Sequence, residues 1–197
     1  MRRAAHQLFD NPKVLDDPIA VSILGEKAQA QICLEERSSH RRASRYVRAF
    51  MVVRSRFAED TLAHAIGRGA SQFVILGAGL DTFAYRNPYD ENRLRVFEVD
   101  HPATQKWKRE RLVAAPRASF SWFRRFAFGA MARRVAKAGE PFQLFFDPAK
   151  LANELRRLEF NKVEDLGADE LNKRTFKDRA DKLRWGGGMG RLISAVV

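Results

Sequence analysis

The stretch FVILGAGLDTFAYR, from Phe73 to Arg86, decides the fold that we expect for this chain. Its first four residues are apolar without alternation, as in a parallel strand covered on both faces. The glycines Gly77 and Gly79 then let the backbone turn sharply and let a ligand approach closely, because glycine has no side chain. Asp81 begins a short predicted helix that ends at Arg86. The pattern predicts a strand, a turn and a helix; the turn is either a ligand site or an ordinary connection.

A second stretch, LRVFEVD from Leu94 to Asp100, predicts a neighbouring strand with Glu98 and Asp100 at its C-terminal end. Asp100 lies about twenty residues after the glycines, the spacing at which nucleotide-binding α/β folds place an acid on ribose hydroxyls. Parallel neighbours bring both strand ends to one edge of the sheet, so the two features indicate one pocket. Taken alone, Asp81 is also explained as a helix cap and Glu98 as an ordinary edge residue.

Helices are predicted before the first strand. Asp17 and Pro18 begin a short helix that Gly25 ends, and a second helix covers residues 27–35. A longer helix, residues 41–66, carries an apolar stripe at steps of three and four. The members of the stripe are Tyr46, Phe50, Val53, Phe57, Leu62 and Ile66.

Further elements are predicted after the second strand. Pro102 begins a helix with a strongly basic outer face, a second helix covers residues 120–138, and residues 142–146 are a strand or a covered loop. Asp147 and Pro148 begin another helix, whose leucines 151, 155 and 158 we expect to face the core. Strands at 162–166 and 191–197 follow, with a glycine-rich turn at 186–188 between them.

Composition limits the classes of protein. The chain has 197 residues, 45% of them apolar and 30% charged, which describes one globular domain without an apolar run long enough to cross a membrane. The N-terminus has two arginines followed by aspartates instead of an apolar signal core, so we expect a cytoplasmic protein. One cysteine and four scattered histidines form no metal-binding pattern.

The net charge of +12 arises largely in two stretches. Residues 37–56 contain seven arginines and no acid, and residues 106–137 contain ten Lys or Arg against Glu110 alone. Such patches attract nucleic acid, anionic lipid or acidic substrates. Because no recognition motif accompanies them, solvated helix faces are the favoured explanation and nucleic acid is the less favoured partner.

Several segments, in the same order, resemble the class I S-adenosylmethionine-dependent methyltransferases of the leucine carboxyl methyltransferase family. They are RSRFAEDTL from Arg54, FVILGAGLDTFAYR from Phe73, FEVDHPATQKWKRERL from Phe97, AGEPFQLFFDPAKLANELRRLEF from Ala138 and VEDLGADELNKR from Val163. The resemblance implies an α/β fold with a seven-stranded, mostly parallel, Rossmann-like sheet that binds S-adenosyl-L-methionine at the C-terminal edge of its first strands.

The resemblance also implies roles for single residues. Arg54, with Arg56 as the alternative, matches the family arginine that binds the methionine carboxylate of the cofactor. A guanidinium suits this role because it forms paired hydrogen bonds with a carboxylate. The cofactor-binding residues so implied are Arg54, Gly77, Gly79, Asp81, Glu98 and Asp100. The two glycines make room for the methionine part, Asp81 follows in the same loop, and Asp100 matches the ribose ligand. No catalytic residue is identified, and no metal is expected.

The chain departs from the family between Leu112 and Phe126, where about a dozen residues stand in place of three strands with their helices. Each parallel crossover needs at least about a dozen residues, so three of them do not fit. We therefore expect a sheet shortened in its middle by an internal deletion. The single domain would comprise a helical cap at 1–70, a cofactor-binding half at 71–115, and a helical segment with C-terminal strands at 116–197.

Three functional hypotheses follow. The leading one is a methyltransferase that transfers a methyl group to a carboxylate or hydroxyl oxygen of a small molecule or peptide. The second is a degenerate, non-catalytic relative that pairs with another chain, and a homo-oligomer is left open. The third is a basic nucleic-acid-binding protein, which the net charge of +12 motivates.

Overall fold

The computed structural model describes residues 1–36, 41–114, 147–186 and 190–197. The predicted helix at 120–138 and the segment 142–146 lie outside these residues, as do Gly187 and Gly188 of the glycine-rich turn. The described elements combine helices with a parallel pair of strands, which confirms the α/β class and is consistent with a shortened class I methyltransferase fold. The division of the domain at residues 70 and 115 stays a prediction.

The N-terminal part of the chain is helical. Its helices are α1 (Arg2–Phe9), α2 (Ile19–Ser22), α3 (Glu26–Glu36) and α4 (Arg41–Gly67). The sequence predicted the last three within a few residues. It did not predict α1, because Met1 provides no side-chain cap and the first turn contains no acid.

Strands β1 (Gln72–Leu76) and β2 (Arg95–Val99) pair in parallel, with Leu76 opposite Val99. Helix α5 (Phe83–Arg86) lies between them in the chain, and α6 (Pro102–Ala114) follows β2. Both predicted strands are therefore confirmed, and their C-terminal ends meet at one edge as expected.

The expectation that β1 is covered on both faces was wrong. Alternate residues of a strand point to opposite faces, and Phe73 and Ile75 pack on a cluster that includes Leu62 and Phe83. On the other face, Val74 is 46% exposed and Leu76 is 77% exposed. The pair β1–β2 thus buries one face and leaves apolar side chains of β1 in contact with solvent.

The C-terminal part consists of α7 (Pro148–Arg157), β3 (Lys162–Leu166), α8 (Ala168–Thr175) and β4 (Leu192–Val196), with β3 and β4 antiparallel. The Asp147 carboxylate accepts a hydrogen bond from the Lys150 amide at 3.0 Å, which confirms the predicted helix start. Leu158 is 67% exposed instead of facing the core, because α7 ends at Arg157.

The largest core cluster joins this C-terminal part to α4. Buried Val52 and Val53 of α4 pack with Leu166 of β3, Leu171 of α8 and Leu192 of β4. The stripe predicted on the long helix is thereby confirmed as a core-facing stripe in its middle section. Helix α4 is the element on which both the β1–β2 pair and the β3–β4 pair rest.

Candidate functional site

The turn after β1 has the backbone conformation that its glycines allow. Gly77 and Gly79 have φ values of +64° and +49°, in the left-handed region that other residues rarely adopt. The Gly77 amide donates to the Val99 carbonyl at 2.8 Å and the Ala78 amide donates to the same oxygen at 3.2 Å. The turn is therefore tied to the end of β2. A Cβ atom added to Gly77 would meet no other atom within 4 Å, so the space beside this residue is open.

Asp100 follows the last residue of β2 and lies at the same edge as the glycine turn. One of its carboxylate oxygens, Oδ2, accepts a hydrogen bond from the Gly79 amide. The other, Oδ1, accepts from the His101 amide at 2.6 Å. The structure thus brings together Gly77, Gly79 and Asp100, the three residues that the spacing of the two strands singled out.

Asp81 is held from two sides. Its Oδ1 accepts a hydrogen bond from the Phe83 amide at 2.8 Å, which closes a local turn and delays the start of α5 to Phe83. Its Oδ2 lies 3.1 Å from Nη1 of Arg3, a residue of α1. Arg3 also donates to the Leu80 carbonyl. The guanidinium of the N-terminal helix therefore binds both the backbone and the acid of the glycine turn.

Below the turn, the Asp17 carboxylate is fully buried between two guanidinium groups. Its Oδ2 lies 3.6 Å from Arg3 Nη1 and its Oδ1 lies 3.6 Å from Arg86 Nε. Arg86 in turn makes a paired interaction with Glu59 of α4, one bond of which measures 2.9 Å. These charges tie α1, α4 and α5 to the turn, so the N-terminal helices support it directly.

Glu98 is turned toward the protein interior and is only 5% exposed. Its Oε1 accepts a hydrogen bond from the Lys108 ammonium at 2.6 Å, and its Oε2 accepts from the Tyr85 hydroxyl at 3.4 Å. Burial raises the pKa of the Glu98 carboxyl above its ordinary value, and the Lys108 charge opposes this shift only in part. Both oxygens already have protein partners, and a contact of Glu98 with a ligand stays a prediction.

Arg54 and Arg56 both have exposed side chains on α4. Arg56 pairs with Asp60 one helical turn later, at 2.8 Å between Nη2 and Oδ1. The hydrogen bond that Arg56 donates to the Asp60 carboxylate raises the pKa of Arg56. Arg54 is thus the less engaged of the two candidates for a ligand carboxylate, and its role stays a prediction.

Sequence reasoning missed Arg3, Lys108 and Tyr85. Helix α6 was expected to have a strongly basic outer face, and burial of a basic side chain on this helix was not predicted, but the Lys108 side chain is 0% exposed. A signal for Lys108 was present: Gln105, Lys108 and Leu112 recur at steps of three and four, and all three are buried. Arg3 carried no comparable signal, because its contacts depend on where α1 lies.

The described residues contain no helix long and apolar enough to span a membrane. They also contain no group of three or more His, Cys, Asp or Glu side chains that could hold a metal ion. The glycine turn and Asp100 meet at the edge where β1 and β2 end.

The chain matches the family model of leucine carboxyl methyltransferase over residues 1–140. It is 35% identical over 133 residues to a protein of Bacillus subtilis (strain 168), covering 57% of this chain and 44% of the relative. It is 32% identical over 113 residues to a protein of Mycobacterium tuberculosis (strain ATCC 25618 / H37Rv), covering 56% of this chain and 32% of the relative. The names of both relatives contain the words S-adenosyl-L-methionine-dependent methyltransferase.

The chain thus spans less than half the length of each of these relatives. The family match includes the glycine turn, Asp100, α6 and α1 with Arg3. The C-terminal segments that resemble the family, from Pro141 onward, lie beyond the match, and their resemblance stays a prediction.

Proposed function

The chain belongs to the leucine carboxyl methyltransferase family, and on that premise we propose that it is an S-adenosyl-L-methionine-dependent O-methyltransferase. The cofactor would bind at the edge where β1 and β2 end. The observation that carries the proposal is the hydrogen bond from the Gly79 amide to the Asp100 carboxylate, which joins the open glycine turn to the acid at the ribose position. The named relatives support the same activity.

The residues present fit the cofactor. The open space at Gly77 leaves room for its methionine part. A carboxylate has about four acceptor sites, so Asp100 keeps acceptor capacity for a ribose diol after receiving the Gly79 and His101 amides. An exposed arginine on α4, Arg54, suits the methionine carboxylate, with Arg56 as the alternative.

Asp81 and Glu98 are the remaining members of the proposed cofactor-binding residues, and we expect both to act indirectly. Asp81 shapes the loop because it binds the Phe83 amide and Arg3. Glu98 lies two residues before Asp100, on the buried side of the same strand, and supports the strand end. Both are expected to affect binding through the position of the loop and of Asp100.

When bound, the cofactor would supply a sulfonium methyl group, whose bond to sulfur breaks as the acceptor oxygen bonds to the methyl carbon in line and the neutral thioether leaves. The protein's contribution is to hold the two reactants in that line, which is worth several orders of magnitude in rate. A carboxylate acceptor needs no general base, whereas a hydroxyl acceptor does. His101 is the histidine next to the site, and its Nδ1 accepts from the Ala103 amide at 3.2 Å. His101 therefore caps α6, and a carboxylate acceptor is the better fit.

A methyl-transfer assay tests this proposal. The protein is incubated with methyl-tritiated S-adenosyl-L-methionine and two acceptor sets, one of peptides with free C-terminal carboxylates and one of small alcohols and phenols. Methyl esters release volatile methanol in alkali, whereas methyl ethers do not, so the chemistry identifies the acceptor group. We expect alkali-labile label that an Asp100→Asn variant produces much more slowly when the methyl donor is kept below its Kd. Equal labelling by the variant and the unaltered protein would contradict the proposed site.

One observation favours the second hypothesis, a non-catalytic relative that pairs with another chain. Val74 and Leu76 of β1 expose apolar surface on a sheet that has two strands in the described part of the chain, and a pair of strands is rarely stable by itself. Analytical ultracentrifugation combined with the methyl-transfer assay separates the alternatives. A compact monomer that turns over the methyl donor excludes the non-catalytic relative, and a self-associated protein that does not turn over the methyl donor supports it.

A further inference from the structure

A lysine and a glutamate form an ion pair in the interior beside the site. Lys108 is 0% exposed and Glu98 is 5% exposed, and the Lys108 ammonium lies 2.6 Å from Glu98 Oε1. The Tyr85 hydroxyl binds the second oxygen of Glu98, and the Lys108 ammonium lies 5.2 Å from the centre of the Tyr85 ring. The three side chains form one contact group, which we call the Lys108 cluster.

The members of the Lys108 cluster come from the three elements that surround the glycine turn. Glu98 belongs to β2 and precedes Asp100 by two residues. Tyr85 belongs to α5, the helix that follows the turn, and Lys108 belongs to α6, the helix that follows Asp100. The cluster therefore fixes the end of β2 against both neighbouring helices.

Stability alone is a weak reason for such a cluster. The cost of removing two charges from water often equals or exceeds their attraction, and well-packed apolar residues frequently serve as well. An ion pair with a hydrogen-bonded phenol differs from an apolar contact because it has one favoured geometry. Asp100, which lies two residues after Glu98, needs such a fixed geometry to bind a ligand, since binding sites tolerate displacements of only about 0.5 Å.

We propose that Lys108 is a positioning residue for the cofactor site, an inference that rests on the proposed function. Through Glu98 it holds the C-terminal end of β2, so that Asp100 remains bonded to the Gly79 amide and turns its free acceptor sites toward the ribose. Without the pair, Asp100 shifts relative to the glycine turn. Small misplacements of this kind cost up to about a hundredfold in function.

Nuclear magnetic resonance of the Gly79 amide, together with calorimetry, tests the proposal. The amide proton reports its hydrogen bond to Asp100 without any cofactor, and Asp100→Asn supplies the reference shift for a weakened bond. The test variants are Lys108→Met and the double variant Glu98→Gln/Lys108→Met, which leaves no buried charge and remains informative if the single variant does not fold. Lys106→Met, an exposed lysine of the same helix, is the matched control.

We expect the double variant to move the Gly79 amide shift toward the Asp100→Asn value and to weaken binding of S-adenosyl-L-methionine by about tenfold or more. Lys106→Met should change neither quantity. An unchanged Gly79 shift with unchanged affinity in the folded double variant would overturn the proposal. If the unaltered protein binds no cofactor, the proposed function fails, whereas the Gly79 shift still decides whether Lys108 positions Asp100.

Discussion

The Asp100 carboxylate accepts a hydrogen bond from the Gly79 amide, across 21 residues of sequence. This contact follows from the parallel register, in which Leu76 lies opposite Val99, so that the turn and the acid leave the sheet side by side. The left-handed φ of Gly79, +49°, orients its amide so that it can donate to Asp100. A single carboxylate thereby joins the ends of both strands and remains available to a ligand.

Replacement of this carboxylate should weaken cofactor binding. A hydrogen bond to a charged group is worth about 1.5–3 kcal/mol, so Asp100→Asn is expected to raise the Kd for S-adenosyl-L-methionine by about ten- to a hundredfold. Calorimetric titration measures the change. Asp169→Asn, an exposed acid in the first turn of α8, is the control and should bind as the unaltered protein does. Equal affinities of the two variants would remove Asp100 from the site.

Glycine in the turn should matter for both folding and binding. Gly77→Ala forces a side chain into the left-handed region, which costs about 1–2 kcal/mol, and the new methyl group points into the open space proposed for the ligand. Urea unfolding measures the first effect and calorimetry the second. Gly67→Ala is the matched control, because its φ lies outside the left-handed range and its Cβ meets nothing within 4 Å. Gly67→Ala should leave stability unchanged or higher by about 0.4–1 kcal/mol.

Local signals were sufficient to predict much of this fold. The apolar run of β1, the glycines after it, and the cap at Asp147 act over a few residues, so the sequence alone shows them. The pairing of Gly79 with Asp100 was also predictable, because parallel strands leave few choices for where their ends meet.

The remaining features depend on contacts between distant parts of the chain. Arg3 contacts Asp81, which lies 78 residues later in the sequence, and no sequence pattern near Arg3 predicts that contact. Lysine side chains are usually exposed, and Lys108 is buried because it forms an ion pair with Glu98 on β2. The exposed face of β1 depends on which elements cover it, and an apolar run cannot report that.

Substitution of Arg3 should affect the stability of the glycine turn, whereas substitution of Arg54 should affect cofactor binding. Arg3→Gln removes contacts to Asp81 and Leu80 and the ion pair with buried Asp17, so it should lower the free energy of unfolding by about 1–3 kcal/mol. Arg54→Gln changes an exposed side chain and should alter stability by less than about 0.5 kcal/mol, while it weakens cofactor binding. Denaturant unfolding and calorimetry on both variants measure these effects.

Arg56→Gln completes this comparison, because Arg56 is the alternative ligand for the methionine carboxylate. If Arg54→Gln binds normally and Arg56→Gln does not, the assignment passes to Arg56. Normal binding by both variants would mean that neither arginine of α4 holds the carboxylate.

Tyr85 should ionise at higher pH than an ordinary tyrosine. Burial raises the pKa of its phenol, and the nearby charge of Glu98 raises it further. Above a pH of about 10 the unfolded chain loses a proton that the folded chain keeps, so stability should fall as the pH rises. Tyr85→Phe should flatten this fall. Phenolate absorbance, in which Tyr85 is one of three tyrosines, measures the titration directly. Complete ionisation of all three near the ordinary value would contradict the buried environment of Tyr85.

We propose that the edge formed by Gly77, Gly79 and Asp100 binds S-adenosyl-L-methionine. Isothermal titration of the unaltered protein with this cofactor, with its demethylated product and with NAD as a control tests that claim most directly. We expect saturable binding of the first two ligands, weakened about ten- to a hundredfold in Asp100→Asn, and no binding of NAD, since Thr82 stands in place of the third glycine of the dinucleotide fingerprint. No heat of binding for either methyl-donor ligand at millimolar concentration would contradict it.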